Sequence, residues 1–483
     1  MKILHVIAGA KVGGAETFAQ DAILSLDARG VRQGVVTRPY EPAMRRYGEA
    51  GIPVRPFAFS VTDRLLRRGQ AIRADAAAMQ VDLVHAWMSR AASFIPAHMP
   101  CPVIGWFGDY YKMKYFRRAD FHFCVTPDIS RYVAQHGGRP HRVVTLNTFG
   151  TMPDSAPVAR ADLATPEDAP LLLVLSRMHP VKGIDTMLQA LTHLPGAYLW
   201  LAGDGPERAA YEELAAKLGL TDRVRFLGWR NDRKALLAAC DICVLPSRYE
   251  PFGTVIVEAW AMRRPLVATK AAGALQYVVD GVNGLLCPIE DEAALAACLA
   301  RAIGDEALRR DMAESGHAAY EADFTRTIVT DRLIDQYERC RRLGTLAQDK
   351  IQPVAGLDWE RLSRLIAKLR GSPVAEAQAR SAIEVALAYA TTAPPMAASA
   401  LRRLTADAAL LQAAGLCRMV TGSGWSRRVL MLGRADMDHA VGIFDRSALD
   451  VKYQDFVETL ISRLFGASGG SGPAARAQRF GSG

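Results

Sequence analysis

Short apolar runs alternate with helix-period stretches along the first 150 residues, and this alternation restricts the fold more than any other feature of the chain. The strand candidates are Ile3–Ala8, Gln33–Thr37, Val54–Phe57, Leu83–Ala86, Pro102–Phe107, Phe121–Val125 and Arg142–Leu146, with helical stretches such as Ala15–Ala28 and Ala71–Gln80 between them. Strands that alternate with helices imply a parallel sheet with helices on both faces. Such sheets bind ligands at the carboxyl ends of their strands. Residues 151–170 are rich in Pro, Ala and acid and read as a linker. A second series follows, with strands expected over Leu171–Leu175, Tyr198–Ala202, Val224–Leu227, Ile242–Leu245 and Leu266–Ala268. The fold class is therefore α/β, with two Rossmann-like doubly wound domains. Their ligand edges can face each other across a cleft, a preferred place for a ligand.

Residues 289–343 are helical by pattern, and the composition then changes. Residues 356–465 are rich in Ala, Leu and Arg and predict a helical appendage of unknown role, with the section Trp425–Phe444 unassigned. The tail Gly466–Gly483 has the Gly, Ser and Ala content of a disordered segment. The expected domains are 1–160, completed by a return helix at about 326–345, then 165–325, 356–465 and the tail.

Half of the 483 residues are apolar, enough for sizeable cores, and no run of 18 apolar residues suggests a membrane span. The apolar start Met1–Ala8 is too short for a signal core and reads as a first buried strand. Eight scattered cysteines fit a reducing compartment, and Cys240 and Cys243 read as small buried hydrophobes rather than metal ligands. The whole net charge of +9 falls within residues 1–160. An excess of cations there suits an anionic membrane surface or a phosphorylated acceptor; no nucleic-acid module is present. The plain alternative is an Arg-rich soluble surface. Tyr110–Arg118 mixes aromatic and cationic residues and is the natural contact for a membrane or lipid-linked sugar, or else an ordinary amphipathic helix.

Four loops are candidates for chemistry, and a fifth, Gly203–Pro206, reads alone as architecture. Ser247–Glu258 leaves a buried strand and enters a helix near Gly253 and Thr254, where unpaired N–H groups favour anions. Glu250 and Glu258 stand eight residues apart there, and half-buried carboxylates need hydrogen-bond donors such as sugar hydroxyls. Ser176–Gly183 sets Arg177 and Lys182 five apart beside a helix start, which suits a diphosphate. His179 between them reads as structural. Gly9–Glu16 follows the first strand, and its glycines permit backbone to approach a phosphate closely. Its spacing is not that of a dinucleotide site, and the second strand ends without a ribose-binding acid. Gly203–Pro206 is a strand-to-helix turn, and Val224–Trp229 ends a strand at Gly228, where a base could lie against backbone.

Taken in order, these pieces resemble the retaining glycosyltransferases of family 4 (glycosyltransferase group 1), which have the GT-B fold. The second half matches through Ser176-Arg177, Lys182-Gly183, Gly203–Pro206, Phe226–Gly228, Leu245–Ser247, Glu250–Gly253, Glu258, Gly273 and Gly281–Gly284. The first half matches through Gly13–Glu16, Asp82–His85 and Asn147. The resemblance spans roughly residues 1–343. It implies that Arg177 and Lys182 hold the donor diphosphate and neutralise the leaving group. It implies that Glu258 accepts from ribose hydroxyls and Glu250 from the transferred sugar. Backbone around Phe252, Gly253 and Thr254, and the Gly13-Gly14 loop, would touch sugar or phosphate, with Gly228 also on the donor side.

No metal and no cofactor are implied; the nucleotide sugar is a substrate, and fixed cations serve the departing diphosphate. One departure stands out: where many relatives carry a His, this chain has Gly108-Asp109. His85 and Asp109 are the acceptor-side candidates, each with a structural alternative. The expected protein is a cytoplasmic transferase, peripheral at the inner membrane face, that moves a hexose-like sugar to a glycan or glycolipid in surface polysaccharide or lipopolysaccharide synthesis. The rival readings are an epimerase or sucrose-synthase-like enzyme of the same fold, and a non-enzymatic sugar-nucleotide sensor.

Overall fold

A computed structural model describes residues 1–9, 13–65, 69–139 and 142–345, together with three short strands further on. Thirteen strands form two sheets. In the first are β1 (Lys2–Ile7), β2 (Arg32–Thr37), β3 (Val54–Pro56), β4 (Leu83–Trp87), β5 (Val103–Phe107), β6 (Phe121–Cys124) and β7 (Val143–Thr145). They lie in the order β3-β2-β1-β4-β5-β6-β7. The second sheet holds β8 (Leu171–Leu175), β9 (Tyr198–Ala202), β10 (Val224–Gly228), β11 (Ile242–Leu245), β12 (Leu266–Thr269) and β13 (Leu285–Cys287), ordered β10-β9-β8-β11-β12-β13. Every pairing within both sheets is parallel.

Sequence explains the strands. A parallel strand covered on both faces must be apolar throughout. The run Leu171-Leu172-Leu173-Val174-Leu175 is of this kind, and all five residues are buried. It pairs Leu171 with Tyr198 on one side and Leu172 with Ile242 on the other. Helices cover the second sheet with Met187, Leu188, Leu295 and Leu299, which pack with Leu172, Val174, Leu199 and Val244 in one core. Two helix starts carry side-chain caps of the usual kind. Thr126 accepts from Ile129 N at 3.2 Å ahead of Pro127, and Asp291 accepts from Ala294 N at 2.8 Å.

The chain divides into two compact units. One comprises Met1–Gly9, Gly30–Leu146 and the chain from Ile334; the other comprises Ala10–Arg29 and Asn147–Leu333. The first unit buries an unusual polar set in its sheet. His5 meets Gln33 Oε1 at 2.9 Å and receives the Trp87 indole N–H at 3.2 Å. In the C-terminal helix Arg326–Leu343, Tyr337 places its hydroxyl 2.6 Å from His85 Nδ1. Arg142, almost fully buried, donates to Gly344 O at 2.8 Å and lies over Phe121.

In the second unit the stretch expected as a loose linker is fastened. Arg160 donates to Asp241 at 2.8 Å and to Ala239 O at 2.8 and 3.1 Å, while Thr165 receives the Trp200 indole N–H at 2.9 Å. Most of the appendage expected at 356–465, and the tail, lie outside the described residues. Those described there are strands: Arg418–Val420, Arg428–Leu432 and Ala440–Asp445 form an antiparallel sheet. The section left unassigned, Trp425–Phe444, thus holds strand, where Val429-Leu430-Met431-Leu432 and Val441-Gly442-Ile443-Phe444 supply short apolar runs.

Candidate functional site

In the second sheet the strand order reverses between β8 and β11, and the loops leaving these two strands converge there. The β8 loop ends in the tight turn Pro180–Lys182 and Gly183. Gly183 has φ +63°, and a Cβ there would stand 2.0 Å from Pro246 O, so the close approach of the two loops excludes any other residue. Arg248 completes the join. Its backbone N–H donates to Val181 O at 2.9 Å, and its guanidinium grips Asp185 at 2.8 and 2.7 Å and Pro180 O at 2.6 Å. Burial alone would raise the Asp185 carboxyl, but the hydrogen bonds and charge of Arg248 hold it below its ordinary value.

Within this scaffold Lys182 Nζ donates to Glu250 Oε2 at 2.6 Å, with only 21 % and 15 % of the two side chains exposed. Arg177 is exposed, and among the described residues its guanidinium has no ion pair or hydrogen bond. The Ser176 and Ser247 hydroxyls are buried in the same loops without a protein partner among the described residues. Gly273 N donates to Glu250 O at 2.7 Å. Phe252 is buried against Tyr277 and Phe324. Gly253, at φ +90°, turns the chain into the helix Thr254–Ala261, so the first-turn N–H groups and half-buried Thr254 sit next to Glu250 in sequence.

Glu258 lies on that helix and is fully buried. Arg233, on the helix Arg233–Ala239 that precedes β11, donates to its Oε1 at 2.5 Å and to Thr151 O at 3.0 Å. Among the described residues Glu258 Oε2 has no partner. Burial pushes the carboxyl up to about 7 despite the opposing charge of Arg233. Sequence reasoning passed over Arg233. Its only local signal was a cation at a helix start, an unfavourable position for the dipole that asks for a compensating acid elsewhere.

The remaining candidates are placed separately. Gly13 caps the helix Gly14–Asp27 in extended conformation, and a Cβ on it would touch only the flexible Glu16 carboxylate. Gly14 has open space around its Cα. The protein's own packing therefore demands glycine at neither position. The rest of that loop, residues 10–12, lies outside the described residues. Gly228 ends β10 at φ +66° and accepts from Gly203 N at 2.8 Å, an architectural link between strand ends.

His85 differs from expectation. It is fully buried in β4, stacked on Trp87 at 4.1 Å and bonded to Tyr337, and burial holds its pKa well below the ordinary value. A ring so enclosed presents no nitrogen to an acceptor; it belongs to the core. Asp109 accepts from Tyr110 N at 2.7 Å and its carbonyl from Tyr111 N at 2.8 Å, the geometry of a loop cap. The cationic segment after it is not an amphipathic α-helix but a single tight turn, Met113–Phe116. That turn buries Phe116 and leaves Lys114 and Tyr115 exposed, as are the flanking Lys112, Arg117 and Arg118.

Known proteins share this sequence and fold. The family described as "Glycosyl transferases group 1" matches residues 156–318. Two proteins of Rhizobium meliloti (strain 1021) are similar over most of the chain, both described as lipopolysaccharide core biosynthesis glycosyltransferases. LpsE is 37% identical over 334 residues, covering 68% of this chain and 97% of its own. LpsD is 34% identical over 345 residues, covering 70% and 98%. Among solved structures, Anabaena Alr3699/HepE in complex with UDP-glucose has 25% identity and a TM-score of 0.60, covering 70% of this chain and 99% of its own. WaaG, described as a glycosyltransferase involved in lipopolysaccharide biosynthesis, shares the fold at 20% identity and a TM-score of 0.54.

Proposed function

The chain belongs to the glycosyl transferases of group 1, and from that premise we propose that it moves a hexose-like sugar, with retention, from a nucleoside diphosphate to a glycan or glycolipid of the lipopolysaccharide core. The observation that carries this reading is the Lys182–Glu250 pair at the strand-order reversal, with Arg177 unpaired in the same loop. In the structure Lys182 and Glu250 satisfy one another. A bound donor gives each a better match: Lys182 turns with Arg177 to the diphosphate, and Glu250 accepts from the sugar hydroxyls. The UDP-glucose complex of the similar Anabaena protein supports a nucleotide-sugar donor.

In the reaction the bond from the anomeric carbon to the diphosphate breaks through an oxocarbenium-like state. The acceptor oxygen bonds to the same face. Its proton passes to a phosphate oxygen of the departing diphosphate. Arg177 and Lys182 stabilise the charge that grows there, the role a metal ion plays elsewhere. No protein nucleophile is required.

The test is an assay of the purified protein with UDP-, GDP- and ADP-sugars and core oligosaccharides of graded length, with the product's anomeric configuration read by NMR. A product of the donor's own configuration, formed equally well in EDTA, is expected. An inverted product, or activity abolished by EDTA and restored by a divalent cation, overturns the corresponding part. We further place the enzyme at the inner membrane face, supported by the exposed Lys112, Lys114, Arg117 and Arg118. Each cation near an anionic surface contributes about 1 kcal/mol. Replacing all four by Ser should therefore release the protein from phosphatidylglycerol vesicles without loss of turnover on a soluble acceptor; retained vesicle binding would refute this placement.

A further inference from the structure

We propose that Arg233 is the positioning residue of the donor ribose site, orienting Glu258 so that its second oxygen is turned to the ribose hydroxyls. The proposal rests on the reading of Glu258 as the ribose acceptor.

Three observations carry it. First, Glu258 is fully buried yet only half satisfied: Oε1 is bonded to Arg233, and among the described residues Oε2 has no partner. A buried carboxylate oxygen without a donor is costly, and a ligand hydroxyl removes that cost. Second, Arg233 uses both arms. One Nη meets Glu258 and the other meets Thr151 O. This ties the helix Thr254–Ala261 to the segment that follows β7 and fixes the carboxylate plane. The planar guanidinium fork suits two partners at once, as a lysine ammonium does not. Third, the segment is pressed onto Glu258: a Cβ on Gly150 would stand 2.8 Å from Glu258 Cγ. The carboxylate therefore has little freedom to turn away from Arg233.

Other charged or titratable groups do not replace this cation. Facing Glu258 from β11 is the thiol of Cys243, fully buried and held neutral by burial. The helix Glu306–Asp323 packs against the helix carrying Glu258 and brings His317, whose ring meets Trp260 O. Burial raises the Glu258 carboxyl to about 7 and Arg233 opposes the rise. Without Arg233 the proton is retained to higher pH, and a protonated Glu258 cannot accept from two hydroxyls.

The test measures binding of UDP-glucose, GDP-mannose and ADP-glucose between about pH 6 and 9 to the full chain, keeping the tightest binder. Wild-type affinity should rise with pH and level off near the Glu258 pKa. Arg233→Met should bind about tenfold more weakly at neutral pH and recover as pH rises, its midpoint displaced upward by about one unit. Arg233→Lys keeps the charge and should show the wild-type midpoint with intermediate affinity; it serves as the readout where Arg233→Met does not fold. Glu258→Gln should bind weakly at every pH. Arg233→Met with the wild-type midpoint, or Arg233→Lys with the displaced one, overturns the positioning role alone. A Glu258→Gln protein that binds as tightly as wild type overturns the ribose reading, and failure of all three donors to bind overturns the proposed function with it.

Discussion

At the scale of the residue, the site separates groups that can be changed without harm to the fold from groups that cannot. Arg177 is exposed and, among the described residues, unpaired, so Arg177→Ala should leave the melting temperature unchanged while lowering kcat/KM at least tenfold, about 1.4 kcal/mol. Steady-state kinetics beside a thermal scan checks both halves of that expectation. Lys182→Ala should lower kcat/KM by at least as much and also destabilise the fold, because it strands the largely buried Glu250 carboxylate.

Glu258 makes a different prediction. Its folded pKa lies near 7, above the ordinary 4.5, so between those values the folded state holds a proton that the unfolded chain has lost. Stability therefore falls as pH rises through that window, by on the order of 3 kcal/mol for a group so fully buried. Glu258→Gln should flatten this slope, as read from urea midpoints in the absence of donor; an unchanged slope would place its source elsewhere. The sequence showed Glu258 as a carboxylate in need of donors. It could not show that an arginine 25 positions earlier is the partner, because that pairing exists only once β11 has brought the two helices together.

At the scale of the element, the loops that build the site are fixed by close backbone approach rather than by side-chain packing. Gly183 meets Pro246 and Gly273 meets Phe252, each so closely that a methyl group would overlap a carbonyl oxygen. Gly183→Ala should cost about 2 to 4 kcal/mol, combining a left-handed backbone with that overlap. Gly14→Ala, in open space at a helix start, should change stability by less than about 0.5 kcal/mol. Chemical denaturation of the two variants side by side tests the contrast.

These elements were legible in the sequence wherever a strand was a long apolar run; Leu171–Leu175 and Tyr198–Ala202 stand where they were expected. The three-residue strand Leu285–Cys287 was not read. A run so short, following the turn at Gly281–Gly284, has no period of its own and is strand only because β12 pairs with it. Between the two readings of His85 the sequence could not choose, for a related reason. The letter alone does not distinguish a ring at a strand's ligand end from one stacked in the core, and its partner Tyr337 is remote in sequence.

For the whole molecule, acid should divide the two units. The first holds three buried imidazoles, and burial lowers His5 to about 3, His122 to about 4, and His85 as well. A base whose folded pKa is depressed contributes stability above its unfolded value near 6.5, and that contribution is lost as pH falls towards the folded value. Carried down to the folded value, the loss is on the order of 5 kcal/mol for His5 and of 3 kcal/mol for His122. In the same range the second unit gains stability as Glu258 takes up its proton. Hydrogen exchange followed peptide by peptide from pH 7 to about 4.5 should show β1, β4 and β6 losing protection while β8 and β11 keep theirs; uniform loss across both sheets would contradict this.

The bond between His85 and Tyr337 also sets a clock. Its two ends are separated by 252 residues, so during synthesis β4 waits for the partner of its buried imidazole until the C-terminal helix has been made. At about 5–20 residues per second that wait is roughly 13 to 50 seconds. The second unit ends at Leu333, before Tyr337 is added. All strands of the second sheet have therefore been made before Tyr337 can close onto His85 in the first.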